Sequence, residues 1–573
     1  MQLTKFKLPI EYSDGVRETP PSLISDLELV STEESPGLYK RICPDDPLFP
    51  RIEQQLAGRF TNNVDFLKDS QALAKEGLSD TGLSTEEGKA MEELRTIIEE
   101  EDAFFDKYMY VEWGPLQFLN SNPKFLQILG LFNIGSPVLT LALPIVMMLA
   151  PFLIIKLQGH NVSITKYLEV LKLVFSRHSI GQLFSIGTVD WDKRIYILFS
   201  VALYAMQIYQ NAMACRRFIK NMDVIDSQLS TMDAYLARTI SVMEDCSKRC
   251  KKLNTYERFG QDVDSHIKPL RDMREEIDKL TVLGRSKLSM GRASEMGGLL
   301  RCFYRMYNDH DFLASLDYSL SLHAYVSFMN AVSMQMGEGR LAACSFSKKN
   351  TEFKEAYFLG TDCKGDPVTN SYKLDKNIVI TGPNAAGKTT VLKGTLFNVL
   401  MSQQVGVGCY KKAKVNPYHH LHSYLNIPDT SGRDSLFQAE ARRCKEILQA
   451  VSDVKHSTKR ERHLCIFDEL YSGTNPYEAI ASAAAFLGYM NEMPGFTYLL
   501  TTHFTLLCKL LGESKRLENK HMVATHNESS IQYTYKLKSG ISALKGGVSV
   551  LQGLGYPEEI VDKARSVLEE VDL

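Results

Sequence analysis

The residues best suited to chemistry lie in the last third of the chain. Gly382-Pro383-Asn384-Ala385-Ala386-Gly387-Lys388-Thr389-Thr390 sets two glycines, a lysine and two threonines in one short stretch. Glycines let backbone N–H groups turn inward on an anion, and a helix opening at Lys388 adds its positive end. In such a loop Lys388 reaches the β- and γ-phosphates of a nucleotide and Thr389 ligates the metal, so the cofactors implied are ATP and Mg²⁺. Further on, HLCIFDE at 463–469 ends an apolar run in two carboxylates. Asp468 then belongs to the Mg²⁺ site, and Glu469 is placed to polarise the attacking water. A third apolar run, FTYLLT at 496–501, is followed by Thr502-His503. A histidine just past a core strand is usually structural. Here His503 is the third strand-end polar group in an ordered series, which favours sensing of the γ-phosphate.

These side chains need strands and helices to carry them. KLDKNIVIT at 373–381 reads as a buried strand, and TVLKGTLFNVLMS after the loop has helical spacing. Leu464, Ile466 and Phe467 form the strand ahead of Asp468. Strand, glycine loop, helix, then strands ending in Asp-Glu and His is the order of P-loop ATPases related to ABC proteins. No Leu-Ser-Gly-Gly-Gln precedes the Asp-Glu strand, which disfavours a transporter subunit.

TGPNAAGKTT, SGRDSLFQAE, CIFDELYSGTNPYEA, LLTTHF and GISALKGGVSVLQGLGYPEEIVDKARSVLEEV together resemble the ATPase domain of the MutS family of DNA mismatch repair proteins. The likeness is specific from Lys373 to Val571 and weaker from Leu313 to Tyr372. It implies an ATP-hydrolysing head that forms a homodimer and works as an ATP-gated clamp on DNA, in mismatch repair or recombination. A cytoplasmic or nuclear location follows from the same likeness. It assigns nucleotide contacts to Asn384, Lys388, Thr389, Asp468, Glu469 and His503. The family's signature serine, which completes the partner's site in trans, matches Ser435, one residue late because Asp434 is inserted after Ser-Gly-Arg. Tyr535 falls where the family often places a ring against adenine, although a tyrosine in a YTYKL strand is usually cross-strand packing. Two features depart from the family. Its mismatch reader carries Phe-x-Glu near the N-terminus, and here no such pattern occurs in the N-terminal region; Phe353-Lys-Glu355 lies just ahead of the ATPase. The C-terminal dimerisation segment is clipped after one helix. The resemblance is therefore to a shortened MutS-like protein that is not itself a mismatch reader.

The rest of the chain must support that head. A length of 573 residues predicts three or four domains, divided as 1–110, 111–215, 216–345 and 346–573. The fold class expected is α plus α/β, a helical core and lever region followed by a C-terminal P-loop ATPase. A net charge of -2 gives no global field toward nucleic acid, and 23% charged with 10% aromatic residues excludes wholesale disorder. Eleven cysteines without framework spacing indicate a reducing compartment, and MQLTKFKLPIEYSDG lacks the apolar core of a secretory signal. Glu86 to Asp102 reads as the solvated face of an acidic helix.

Two uncharged runs, 125–155 and 195–215, are long enough to cross a bilayer. Pro137, Pro144 and Pro151 interrupt the first, and Gln207, Gln210 and Asn211 crowd the second. A membrane hairpin and a buried helical core both stay open, and with the hairpin stays an alternative function, a membrane-associated ATPase for remodelling or tethering. Met222, Ile225, Leu229, Met232, Leu236, Ile240 and Met243 form a heptad-like stripe, with a second stripe from Ile267 to Leu280. Between them Lys248, Arg249, Lys251 and Lys252 sit at the expected tip of a helical arm. That tip reads either as an exposed connection or as a phosphate-contacting site on DNA.

Overall fold

The computed structural model describes residues 6–570 apart from 45, 80–81, 84–85, 90, 92–103, 160–162, 178–180, 182, 184–185, 189, 281–289, 362–365, 426, 428–434, 456–460, 513, 528–529, 543–547, 549–550 and 553–554. They form two compact units, one of residues 1–89, 241–267 and 317–573, the other of 90–240 and 268–316. The main helices before the nucleotide loop are α1 (Val64–Glu76), α2 (Pro123–Leu157), α3 (Ile164–Arg177), α4 (Trp191–Cys250), α5 (Glu257–Asp278), α6 (Met290–Asn308) and α7 (His310–Gly337). Most of the acidic helix expected at 85–110 lies outside the described residues, as do Ser431 to Asp434.

In the second unit the heptad stripe is a true core face. Met222, Ile225, Leu229, Met232, Leu236 and Ile240 are all buried. The boundary that the charge pattern predicts at 215–216 falls inside α4, which runs on unbroken. Asn122 starts α2 by accepting the N–H groups of Lys124 and Phe125, with Pro123 at the first helical position. The start of α2 lies close against α6. A Cβ on Gly297 would fall 2.1 Å from Pro123 O, so only glycine permits this approach. Gly297 N–H donates to Gln127 Oε1 at 2.8 Å. Arg301 and Arg305 both pair with the buried Glu276, at 2.7 and 2.6 Å.

The first unit holds the site. Its longer strands are β1 (Thr351–Ala356), β2 (Asn370–Leu374), β3 (Asn377–Thr381), β4 (Tyr410–Val415), β5 (His420–Tyr424), β6 (His463–Asp468), β7 (Phe496–Thr502), β8 (Leu517–Asn527) and β9 (Ser530–Ser539). One sheet runs β5-β6-β7-β3-β8-β9, parallel except for β9. A second, four-stranded sheet orders Ser345–Phe346, β4, β1 and β2. The single strand expected at 373–381 is thus two strands in two sheets, broken at Asp375-Lys376. Ile378, Val379 and Ile380 are wholly buried because β3 is a central parallel strand covered on both faces. The longer helices that follow are α8 (Lys388–Ser402), α9 (Leu436–Lys455), α10 (Pro476–Glu492) and α11 (Glu558–Glu570). The observed class is α plus α/β, as expected.

The N-terminal segment packs in this same unit. Thr61 N–H donates to Gln403 O, and Gln403 Nε2 donates back to Thr61 O. Tyr39, fully buried, donates its hydroxyl to Gln404. Phe353, from the Phe-x-Glu pattern, is core as well, packed between Tyr372 and Tyr410.

Candidate functional site

Parallel strands present their carboxyl ends along one edge, where open α/β sheets bind ligands. Here β3, β7 and β6 are neighbours, and they deliver Gly382, Thr502-His503 and Asp468-Glu469 to that edge. The loop after β3 needs its glycines. Gly382 has φ 152° and Gly387 φ 88°, and Ala385 between them is left-handed at 61°. A Cβ on Gly382 would meet Met522 Cβ at 3.2 Å, and one on Gly387 would meet the Tyr535 ring at 3.1 Å. Asn384 and Ala385 are exposed at the crest of the loop, while Pro383 and Ala386 are buried beneath it. Thr390 follows Thr389 in the first turn of α8.

Lys388 is 5% exposed, and its ammonium donates to Gly382 O at 3.0 Å and Pro383 O at 3.3 Å. Burial pushes its pKa down, and the nearby Glu469 and Asp468 carboxylates oppose that shift. Glu469 has φ 51°, an outlier for a residue with a side chain, at the point where the chain leaves β6. Glu469 Oε1 lies 2.7 Å from His503 Nε2 and 3.9 Å from Lys388 Nζ. The His503 hydrogen bond holds the Glu469 carboxyl below its ordinary range, against the desolvation that would raise it. If Nε2 spends its proton on Glu469, the 3.1 Å approach of Lys388 Nζ meets no free acceptor there, and the ammonium is held by the two carbonyls.

Thr389 Oγ1 donates to Asp468 Oδ2 at 2.8 Å, and Thr501 Oγ1 donates to Asp468 Oδ1. A hydroxyl and a carboxylate side by side are hard oxygen donors, the set that suits Mg²⁺ completed by water and phosphate oxygens. Among the described residues no cluster of three or more His, Cys, Asp or Glu forms a further metal site.

Tyr535, on the antiparallel edge strand β9, lies against Gly387 with φ 55° and is half-exposed. Asn370 holds it there, donating to Tyr535 O at 3.0 Å and accepting Leu537 N–H at 2.7 Å. Ser435 stands exposed at the start of α9, where its hydroxyl accepts Gln438 N–H at 3.4 Å. It makes none of the hydrogen bonds found in the Lys388–Asp468 cluster.

Three positioning residues escaped the sequence reading. Thr501 orients Asp468, and Asn370 orients the Tyr535 strand. Glu440 accepts Ser472 N–H at 3.0 Å and Gly473 N–H at 3.1 Å, tying α9 to the turn that follows Glu469. Glu440 ends the SGRDSLFQAE stretch, and Ser472-Gly473 downstream was the only signal of its partner.

The basic tip is corrected. The turn after α4 does not project. Tyr256 stacks on Phe66 at 5.1 Å, and Thr255 donates twice to Asp69 on α1. Arg249 is paired with Asp245 at 2.7 Å, and Lys251 is paired with Asp264. Lys248 and Lys252 keep exposed side chains. The aromatic contacts of Tyr256 dock this connection, and Lys251 stays exposed beside Lys248 and Lys252.

The Glu469–His503 pair predicts a pH effect. Above its lowered pKa Glu469 is ionised and able to take a proton. The acid limb of any kcat/KM profile governed by it should therefore lie below the usual carboxylate range. His503→Ala removes the bond and leaves desolvation, so that limb should move to higher pH. An unmoved limb would mean that Glu469 is not the group titrating.

A sequence model of MutS domain V matches residues 378–572. The DNA mismatch repair protein MutS of Lysinibacillus sphaericus is 30% identical over 198 residues, 34% of this chain and 22% of that protein. The Listeria monocytogenes MutS is 28% identical over 213 residues, 36% of this chain and 23% of its own. The endonuclease MutS2 of Fusobacterium nucleatum is 29% identical over 254 residues, 43% of this chain and 31% of its own. The chain thus spans between a fifth and a third of the length of these relatives. Across the strands and loops that build the Lys388–Asp468 cluster, the C-terminal third of the chain is similar to domain V of MutS proteins.

Proposed function

We propose that this chain is a P-loop ATPase that binds ATP with Mg²⁺ at Gly382–Thr390 and hydrolyses it. The observation that carries the reading is the meeting of Lys388, Thr389, Asp468, Glu469 and His503 at the ends of three adjacent strands. Bound Mg²⁺ would neutralise phosphate charge, with Thr389 and Asp468 holding it. Lys388 would leave the carbonyls of Gly382 and Pro383 for the β- and γ-phosphates. Glu469 would orient a water and take its proton, while His503 keeps that carboxylate ionised and senses the γ-phosphate. Tyr535 offers a ring at the loop for the adenine face.

In this reading two heads act together, and Ser435 of a second copy completes each site. Ser435→Ala should then lower hydrolysis in the dimer and leave the monomer unchanged, as measured across a concentration series. An equal loss at all concentrations would refute the action in trans. The output we propose is an ATP-gated grip on DNA in mismatch repair or recombination, without mismatch reading. It is supported by the relatives' names, DNA mismatch repair protein and endonuclease, and by the exposed Lys248 and Lys252. Steady-state hydrolysis with homoduplex, mismatched and branched DNA at low and high salt tests it. Stimulation that fades with salt is expected, and no response to any DNA would remove the DNA output while leaving the ATPase.

A second reading, a membrane-associated ATPase for remodelling or tethering, is favoured by one observation. The apolar side chains of α2, α3 and the first half of α4 are extensively exposed. The two readings are compatible in one molecule.

A further inference from the structure

We propose that α2 and the first half of α4 form a two-helix hairpin that spans a lipid bilayer, with α3 lying at its far interface. The proposal rests on the membrane-associated reading and deepens it. Pro123–Leu143 is the one segment among the described residues long and apolar enough, by composition, to cross a membrane, and 17% of it is buried. The core helix of a soluble protein would be mostly buried. Phe132, Val138 and Leu141 on α2, with Ile195, Phe199 and Leu203 on α4, are each more than half exposed. Water does not tolerate a continuous apolar surface of this extent, and a bilayer does.

The two helices run antiparallel in a register set by three contacts. Cys215 Sγ meets Ile134 O at 3.4 Å, Asn211 Nδ2 donates to Thr140 Oγ1 at 2.6 Å, and the Tyr204 hydroxyl donates to Thr140 O at 2.9 Å. Ile195 to Cys215 carries no formal charge, and at 1.5 Å per residue it measures ~32 Å, against a hydrocarbon core of ~30 Å. In this register Arg216 and Arg217 close one end of the uncharged slab level with Ile134, so α2 crosses it from Ile134 to Ile155 and its first turns stay packed on α6. Lys156, Lys193 and Arg194 close the other. The two tryptophans of the chain are Trp113, ahead of α2, and Trp191, at the start of α4. They are 67% and 76% exposed, and Trp191 lies at the end closed by Lys193 and Arg194, as the amphipathic ring of an interfacial anchor is placed. Between the spans α3 offers Leu168 and Val174 to an apolar surface with Lys166 and Lys172 flanking that face for the headgroups.

Two of the three prolines and one of the polar residues that argued against a span are accommodated within the pair. A proline frees the carbonyl four residues before it. The carbonyl freed by Pro144 is Thr140 O, and it accepts the Tyr204 hydroxyl. The carbonyl freed by Pro137 is Asn133 O, and it accepts the Ser136 hydroxyl at 3.3 Å. A bilayer demands this internal satisfaction, since it has no water to supply it. Asn211 is likewise turned onto α2, and Gln210 lies ~9 Å from the Arg216 end.

The test uses the full chain in membranes of expressing cells, followed by flotation and alkaline carbonate extraction. Single cysteines at Glu112→Cys, before α2, and Gln158→Cys, after it, are then probed with an impermeant maleimide in sealed inverted vesicles. The expected result is retention in the membrane, with Glu112→Cys labelled directly and Gln158→Cys only after permeabilisation. Retention with both sites labelled from one side overturns the span and leaves membrane association standing. Release into the supernatant sinks both, and release as a stable dimer assigns the apolar face to a second copy. Val138→Lys with Leu203→Lys should shift most of the protein to the supernatant while ATP hydrolysis in detergent is retained. Retention of this hydrolysing variant in the membrane would overturn the hairpin as the anchor.

Discussion

Lys388→Ala is expected to weaken ATP binding about a hundredfold or more, equivalent to ~3 kcal/mol, and to take turnover down with it. The reason is the burial of the ammonium. At 5% exposure Lys388 is a cation already drawn out of water, held by two loop carbonyls and facing Glu469. Phosphate oxygens arriving in the loop meet a donor whose desolvation cost is met in the free protein. Alanine leaves Gly382 O and Pro383 O without that donor and leaves the γ-phosphate charge beside the Glu469 carboxylate. Repulsion then replaces attraction. Titration calorimetry with ATP and Mg²⁺ measures the loss, and a melting curve close to the parent separates it from unfolding. A parental dissociation constant would show that Lys388 is not the phosphate ligand.

Glu469→Gln should do the opposite to binding and something larger to chemistry. Turnover is expected to fall by about 10²–10⁴, the range for losing a positioned general base, while affinity for ATP stays within a few-fold. Glutamine keeps the shape of the side chain and can still accept a hydrogen bond from His503. It cannot take a proton from water. Loss of a negative charge near the phosphates should, if anything, tighten binding slightly. Single-turnover hydrolysis with a parallel binding isotherm decides the point. Hydrolysis at the parental rate would falsify the assignment of Glu469 as the base.

How much of this was legible beforehand depends on how far the information lies along the chain. The strand into Gly382, the helix after Lys388 and the strands ending at Asp468 and Thr502 were readable because each is a contiguous pattern. The strand break at Asp375-Lys376 was not. Residues 370–374 and 377–381 have the same local character, and only their partners place them in different sheets. The basic cluster at 248–252 was readable as charge, but its docking on α1 was not. The residues that dock it, Phe66 and Asp69, lie far away in sequence. Gln207, Gln210 and Asn211 counted against a span as composition. Their meaning changed once Asn211 and Tyr204 were seen to face Thr140.

The sequence by itself determined the identity of the site, since Gly382 to Thr390, Asp468-Glu469 and His503 are chemistry written at the ends of local elements. It also determined the class of fold, because buried β-branched runs alternating with helical periods make a parallel sheet flanked by helices. Only the tertiary structure decided which hydroxyl faces Asp468, that Tyr535 lies on Gly387, and that Glu440 ties the signature helix to the turn after Glu469. It alone showed that the carbonyls freed by two prolines are met by Ser136 and Tyr204. Hydrogen bonds between elements distant in sequence depend on register and packing, and no local spacing encodes either.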